Sequence, residues 1–462
     1  MGRGRGDGGP AARRAVPCGP SSGASMNSAW PTWRRVDGQG VVAPDERLAW
    51  GQTVMMGLQH VLAMAGSTIL GPLLMGFDPN VAILFSGLGT LLFFVVTGGR
   101  VPSYLGSSFS FIALVASVTG YAGHGPNPDV PLAAGGIVTA GAVYALLGLL
   151  VCATGTGWIE RLMPPVVTGA VGAAIGLNLA PMAAHGVSGS PAATLTGLFT
   201  LLAVAAFAVY APPLLRRLSI LCAMALSCVV YVLAANGLGL APPVDFAPVR
   251  AAAWFGLPPL RAPRFQPHAM LAIAPVAIVL VAENLGHLKA LGAITGQPFT
   301  RMAGRTFLGD GLATMLAGSG GGTGVTTYVE NIGVMAISRV YSTLIFIVAA
   351  LFAILLGFSP GFGAMLRAIP DPVLGGLAIA VFGLIAATMV RIWVDHAVDF
   401  TDPRNLFTVG VALVAGAGNL TVSVGGVTLG GITTATVAAI GLYQFLGWGR
   451  ARNVVALSSG RE

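Results

Sequence analysis

Long stretches of this chain carry no formal charge at all. Between Arg47 and Asp78 there is none, and the same holds for 101–128, 130–159, 162–215, 218–244, 340–366 and 405–449. A helix that crosses a bilayer needs about 20 apolar residues. Several of these windows hold one such helix and the longer ones hold two. Transmembrane β-strands would alternate with a period of two, and no such alternation is seen. The spans therefore read as α-helices, which satisfy their backbone polar groups internally.

Composition agrees with this reading. Only 9% of the 462 residues are charged, against about 25% in soluble domains. The 66 glycines suit close helix packing in lipid. Cys18, Cys152, Cys222 and Cys228 fit no metal or redox spacing, so neither a metal nor an organic cofactor is expected. The net charge of +8 is carried almost wholly by arginine, with Lys289 the lone lysine. In a membrane protein that charge reports topology before nucleic acid.

Fourteen spans are expected, near 50–68, 81–98, 102–120, 131–153, 165–184, 192–211, 217–236, 268–288, 303–318, 325–338, 340–357, 372–391, 405–421 and 427–447. With the N-terminus inside, twenty of the 24 Lys and Arg residues fall on the cytoplasmic side. Only Arg250, Arg261, Arg264 and Arg367 fall outside, as the positive-inside bias requires. Both termini are thus expected in the cytoplasm of a multi-pass inner (plasma) membrane protein. Residues 1–47 are rich in Gly, Pro, Ser and Arg and read as a disordered tail without a signal-peptide core. A first seven-span repeat covers 48–236, a proline-rich extracellular linker 237–267, a second repeat 268–448 and a C-terminal tail 449–462. Seven spans per half put the halves in opposite orientations, the mark of an inverted repeat. The third span of each half is interrupted: one opens Val101–Pro102–Ser103–Tyr104–Leu105–Gly106–Ser107–Ser108–Phe109, the other Gly324–Val325–Thr326–Thr327–Tyr328. Both begin with β-formers, hydroxyls and glycine before turning helical. Interrupted spans at matching positions point to a binding site near the midplane.

The ionisable residues inside spans are His60, Glu283, His287, Asp310 and Glu330, and an intramembrane carboxylate is a functional hypothesis by default. Glu283 and His287 share a helix face at i,i+4. Fourteen uncharged residues precede Glu283, about 21 Å of helix, although the pair could also be the wet end of its span. Glu330 opens a helix, where a carboxylate also favours the helix dipole. His60 could be a structural histidine, and Asp310 could bond neighbouring backbone.

Gln59–His60, Gly106–Ser107–Ser108–Phe109, Glu283–Asn284–Leu285–Gly286–His287 and the run Thr326 to Arg339 resemble the nucleobase–ascorbate transporter family, and among its members the bacterial uracil permeases. The resemblance covers roughly 46–448. The family signature is an acid or Gln, Asn-x-Gly, four residues, then Thr and a basic residue. Here it begins at Glu330, with Asn331, Gly333 and Arg339 in place and Ser338 where Thr is usual. The resemblance implies an all-α polytopic fold of fourteen segments in a 7+7 inverted repeat. Its core domain is the first four spans of each half, its gate domain the last three, and segments 3 and 10 are short with strand-like halves. It implies that Glu283 and Glu330 hold a base, with Ser108, Phe109, Tyr328 and Val329 beside it, and that Glu283, His287 and His60 serve proton coupling. Val329 stands where uracil permeases commonly have glycine and narrows the site.

The expected function is therefore proton-coupled import of uracil by alternating access, with the proton as coupling ion and no enzymatic step. A xanthine or purine permease is the alternative, and an anion transporter on the same fold a more distant one. The expected partners are the nucleobase and membrane lipid, not nucleic acid. A homodimer through the gate domain follows by analogy only.

Overall fold

The computed structural model describes residues 30–37, 40–121, 123, 125–424 and 427–459. Its main helices are α1 (Trp50–Met75), α2 (Pro79–Thr97), α3 (Ile112–Thr119), α4 (Val130–Thr154), α5 (Pro165–Asn178), α6 (Ala180–Val187), α7 (Pro191–Tyr210), α8 (Ser219–Val232), α9 (Pro267–Ile273), α10 (Val276–Thr295), α11 (Ala303–Ser319), α12 (Val329–Ser338), α13 (Thr343–Gly357), α14 (Pro360–Arg367), α15 (Asp371–Asp395), α16 (Pro403–Ala417) and α17 (Gly431–Ser459). Among the described residues, eight helices are long and apolar enough to cross a bilayer, and α13 with α14, bent by 81°, adds a ninth only if the pair forms one span.

Local chemistry sets the ends. Asp78 accepts from the Asn80 and Val81 amides and is followed by Pro79 at the first helical position, so α2 starts there. Gly76 ends α1 with φ of 69°. A Cβ at that position would also strike the Tyr121 ring and Asn127, so both backbone sign and space demand glycine.

The helices pack as two groups. In one, α4 lies along α11, and α2 is held by α11 and α13, with α1 beside α13. In the other, α15 packs on α5, α6 and α7, and α16 on α5 and α17. The α4–α11 contact depends on missing side chains: a Cβ at Gly148 would sit 2.4 Å from the Leu308 amide, and one at Gly311 would sit 2.4 Å from the Ala145 amide. Backbones this close are how helices gain dispersion contact without a hydrophobic drive between them.

Two interrupted segments cross inside the first group. Strand β3 (Leu105–Ser107) pairs antiparallel with β4 (Val325–Thr327), with Leu105 opposite Thr327 and Ser107 opposite Val325. Each leads into a short apolar helix, α3 or α12.

One expectation needs correction. The disordered tail was placed over 1–47, of which 1–29, 38 and 39 lie outside the described residues, but the remainder is folded. β1 (Arg34–Arg35) pairs with β2 (Glu46–Arg47), and Val42 is 1% exposed. The Val42 amide donates to the Arg339 carbonyl at 3.0 Å and the Tyr341 amide to the Val42 carbonyl at 2.8 Å. Trp33 donates to Thr343 at 3.0 Å and stacks on Phe94. Low apolar density hid this, because a few well-placed side chains anchor the segment. Within the expected C-terminal tail, α17 continues to Ser459 and 460–462 lie outside the described residues.

Candidate functional site

The crossing of β3 and β4 is the organising feature. Hydroxyls behind each strand hold its first residue. Leu105 donates its amide to Thr90 Oγ1 at 2.9 Å, and Ser86 donates to the Leu105 carbonyl. On the other side, Thr314 donates to the Val325 carbonyl at 2.8 Å and accepts its amide at 3.2 Å. A sheet of two three-residue strands could not otherwise satisfy its buried backbone. The strands continue into each other's neighbours: the Ser108 amide donates to the Gly324 carbonyl at 2.9 Å, and Ser107 and Thr323 hydroxyls meet at 2.5 Å.

Tyr328 folds back across this crossing. Its hydroxyl donates to the Ser107 carbonyl at 2.9 Å, and its ring fills the space above Gly106, where an added Cβ would meet it at 2.5 Å. Glu330 lies in the first turn of α12 and accepts from Ser67 of α1 at 3.2 Å. Glu283, on α10, accepts from Ser110 at 3.4 Å. A carboxylate has about four acceptor positions, so one serine apiece leaves each glutamate with capacity for a ligand N–H. First-turn amides of α12 have no intrahelical acceptor, which places donors beside Glu330, whereas the turn before α3 closes on itself, with the Ser110 amide on Ser108 Oγ and the Ile112 amide on the Phe109 carbonyl.

Phe109 is 9% exposed. It meets Phe382 of α15 edge-to-face, with centroids 6.0 Å apart. Phe382 belongs to the second packing group, so this pair spans the seam between the groups. Ser108 caps its own turn by accepting from the Ser110 amide at 3.3 Å, while Val329, 38% exposed, is the first residue of α12.

The other sequence candidates sit one contact further out. His287 turns its Nδ1 to Thr327 Oγ1 at 2.9 Å. His60 is fully buried, 3.1 Å from Asn331 Oδ1 and edge-on to Phe346. Asn331 in turn donates to the Tyr104 carbonyl at 3.0 Å. His60 thus reaches the segment behind Glu330, and its recorded partner is Asn331 rather than a carboxylate. Asp310 accepts from Asn284 and, at 3.5 Å, from Thr326, so it braces β4 from behind. Arg339 ends α12 with φ of 55°, and its carbonyl takes the Val42 amide. Gly333 is exposed, with nothing within 4 Å of an added Cβ. Among the described residues, no three His, Cys, Asp or Glu side chains are arranged to hold a metal ion.

Sequence reasoning missed Ser67, Ser110, Asn331 as the partner of His60, and Phe382. Ser110 was visible as one more hydroxyl in an interrupted span. Phe382 carried no local signal, since an aromatic in an apolar span is ordinary. A separate cavity of about 600 Å³ opens beyond the end of α1. Asp78, Tyr121, His185, Arg261 and Arg367 line it, and neither glutamate does. Arg367 and Asp78 form an ion pair of 2.7 Å at its edge.

The profile of the Permease family (Xan_ur_permease) matches residues 51–425. "Putative pyrimidine permease RutG" of Escherichia coli is 56% identical over 407 residues, 88% of this chain and 92% of that protein. The uracil permease of Paenibacillus larvae is 39% identical over 418 residues, 88% of this chain and 96% of that one. Among solved structures, the transmembrane domain of the cyanobacterial bicarbonate transporter BicA superposes with a TM-score of 0.60, covering 84% of this chain and 96% of that one at 17% identity. At that identity the likeness concerns the fold alone.

Proposed function

The chain belongs to the nucleobase–ascorbate transporter family of permeases, and we propose that it is a proton-coupled symporter that imports uracil by alternating access. The reading includes fourteen spans in a 7+7 inverted repeat. The like treatment of the two strands, each held at its first residue by a threonine of the preceding helix, supports that symmetry. The group containing α1–α4 and α9–α13 is the core domain, and the group containing α5–α8 and α15–α17 is the gate.

One observation carries the substrate class: two glutamates, each steadied by a serine, face the start of two short helices at a strand crossing. Uracil presents two N–H donors and two carbonyl acceptors. Glu283 and Glu330 accept from the N–H groups, and the first-turn amides of α12 donate to the carbonyls. Phe109 and Tyr328 offer flat apolar faces to the ring. The relatives named as uracil and pyrimidine permeases support a single-ring base.

Proton coupling follows if the protonated site binds the base better than the deprotonated one, since coupling is a difference in affinity between states. Glu283 is the group that takes up and releases the proton, with His287 assisting through Thr327 and the β4 strand and His60 through Asn331. Movement of the gate past the core separates Phe382 from Phe109 and opens the site to one side.

The test is uptake of labelled uracil by cells lacking their own uracil transport. Uptake should be driven by a pH gradient, collapse with a protonophore and be competed by uracil more than by xanthine. Uptake indifferent to the protonophore removes the symport mechanism. Preferential competition by xanthine transfers the assignment to a purine permease.

A further inference from the structure

A second cavity, of about 520 Å³, lies on the flank of the molecule between the two packing groups. Val61 and Ile69 of α1 form one wall, Met224 and Cys228 of α8 the other, and Ile369 closes one end. No charged side chain lines it. Along the spans its rim is apolar and open, with Leu62 37% exposed, Val229 56% and Leu233 63%, while Phe246 and Met365 line its extracellular end. In a membrane-spanning protein such a rim faces hydrocarbon. The inner end is formed by Thr68 and Tyr104. Thr68 follows Ser67, which holds Glu330, and the Tyr104 carbonyl holds Asn331. The cleft therefore backs directly onto the wall of the glutamate site.

We propose that this cleft binds an acyl chain of a membrane phospholipid, inserted from the side between α1 and α8. Shape and surroundings choose the occupant. A thin, flexible hydrocarbon chain fits the volume and is the molecule the rim already meets. An apolar cleft offers water few polar partners, and leaving it empty would forfeit dispersion contact along both walls. An acyl chain there fills the seam along which α1 and α8 face each other, behind the residues that position Glu330. The inference does not depend on which base is carried.

The full-length protein, reconstituted in phosphatidylcholine vesicles containing a fraction of phosphatidylcholine with a diazirine near the acyl terminus, is irradiated, and adducts are mapped by peptide mass spectrometry. Adducts are expected at Met224, Cys228 or Ile369, with a yield that saturates as the probe fraction rises, whereas adducts on the outward residues Leu195 and Leu202 of α7 rise in proportion. Ala225→Trp should lower the cleft adducts at least tenfold and leave the α7 adducts unchanged. Val229→Trp, at a more exposed position, provides the same test should the first variant misfold. Labelling of α7 without the cleft, cleft adducts that rise in proportion to the probe, or yields unchanged in a folded tryptophan variant would each overturn the proposal. Oxidative Cys228–Cys228 cross-linking between copies with loss of cleft adducts would overturn it too, and assign the cleft to a second copy.

Discussion

Gly106→Ala adds one methyl group at the strand crossing, and its consequence can be worked from distances. The new Cβ would stand 2.5 Å from Tyr328 Cε2 and 2.6 Å from its Cζ and hydroxyl oxygen, where ordinary contact begins near 3.4 Å. The ring must retreat by roughly 1 Å. It has little room, since Tyr328 is 5% exposed and its hydroxyl is fixed to the Ser107 carbonyl at 2.9 Å. Moving the ring breaks that hydrogen bond, at about 0.5–1.5 kcal/mol, and overpacks the crossing, at about 1–3 kcal/mol. The total of about 1.5–4.5 kcal/mol falls on the residue pair Tyr328–Val329 that leads into Glu330. If the binding-competent arrangement carries it all, affinity drops by about 10- to 2,000-fold. The assay is concentration-dependent uptake of labelled uracil, with expression and monodispersity checked on purified protein. KM should rise at least tenfold while the protein still inserts and folds. Gly410→Ala on α16 is the comparison, because nothing lies within 4 Å of its added Cβ, and it should transport within twofold of wild type. A Gly106→Ala variant with KM within twofold of wild type would refute the idea that Tyr328 packing on glycine sets the site.

Glu283→Gln keeps the shape of the side chain and its contact with Ser110 but cannot titrate, so proton-driven uptake should vanish while size-exclusion behaviour is unchanged; wild-type uptake would remove Glu283 from the coupling. Asn331→Ala leaves the buried Tyr104 carbonyl and His60 ring without their partner, at about 1–3 kcal/mol each, so thermal stability in detergent should fall by several degrees; an unchanged melting temperature would show that the network bears no load. Val329→Gly should widen the start of α12 and add backbone freedom, preserving or weakening uracil uptake while raising xanthine uptake relative to it. Paired uptake of the two labelled bases measures this, and a fixed ratio would show that Val329 does not set selectivity.

The membrane character, the long apolar helices and the two interrupted segments were legible in the sequence because each depends on local chemistry. A charge-free window of sufficient length has few alternatives to a spanning helix, and β-formers with glycine at the head of a short span mark a broken helix wherever they occur. Glu283, His287 and Glu330 stood out for the same reason: a carboxylate or imidazole in hydrocarbon is costly and therefore rare. What each of them touches was another matter. Leu105 and Thr327 are partners across more than two hundred residues, and nothing in either segment names the other. Ser67, Ser110 and Asn331 gained their roles only when α1, α10 and α12 came together. Phe382 came to adjoin Phe109 because the second packing group lays α15 against it, and residues 30–37 and 40–47 folded because Arg339, Tyr341 and Thr343 were there to receive them. Desolvation cost is a property of one residue and its neighbours in the chain, and so the sequence alone determined that this chain carries helices apolar enough to cross a membrane and which polar groups it buries within them. Hydrogen bonds and packing join residues that the chain keeps far apart, so only the tertiary structure decided which of those groups face one another.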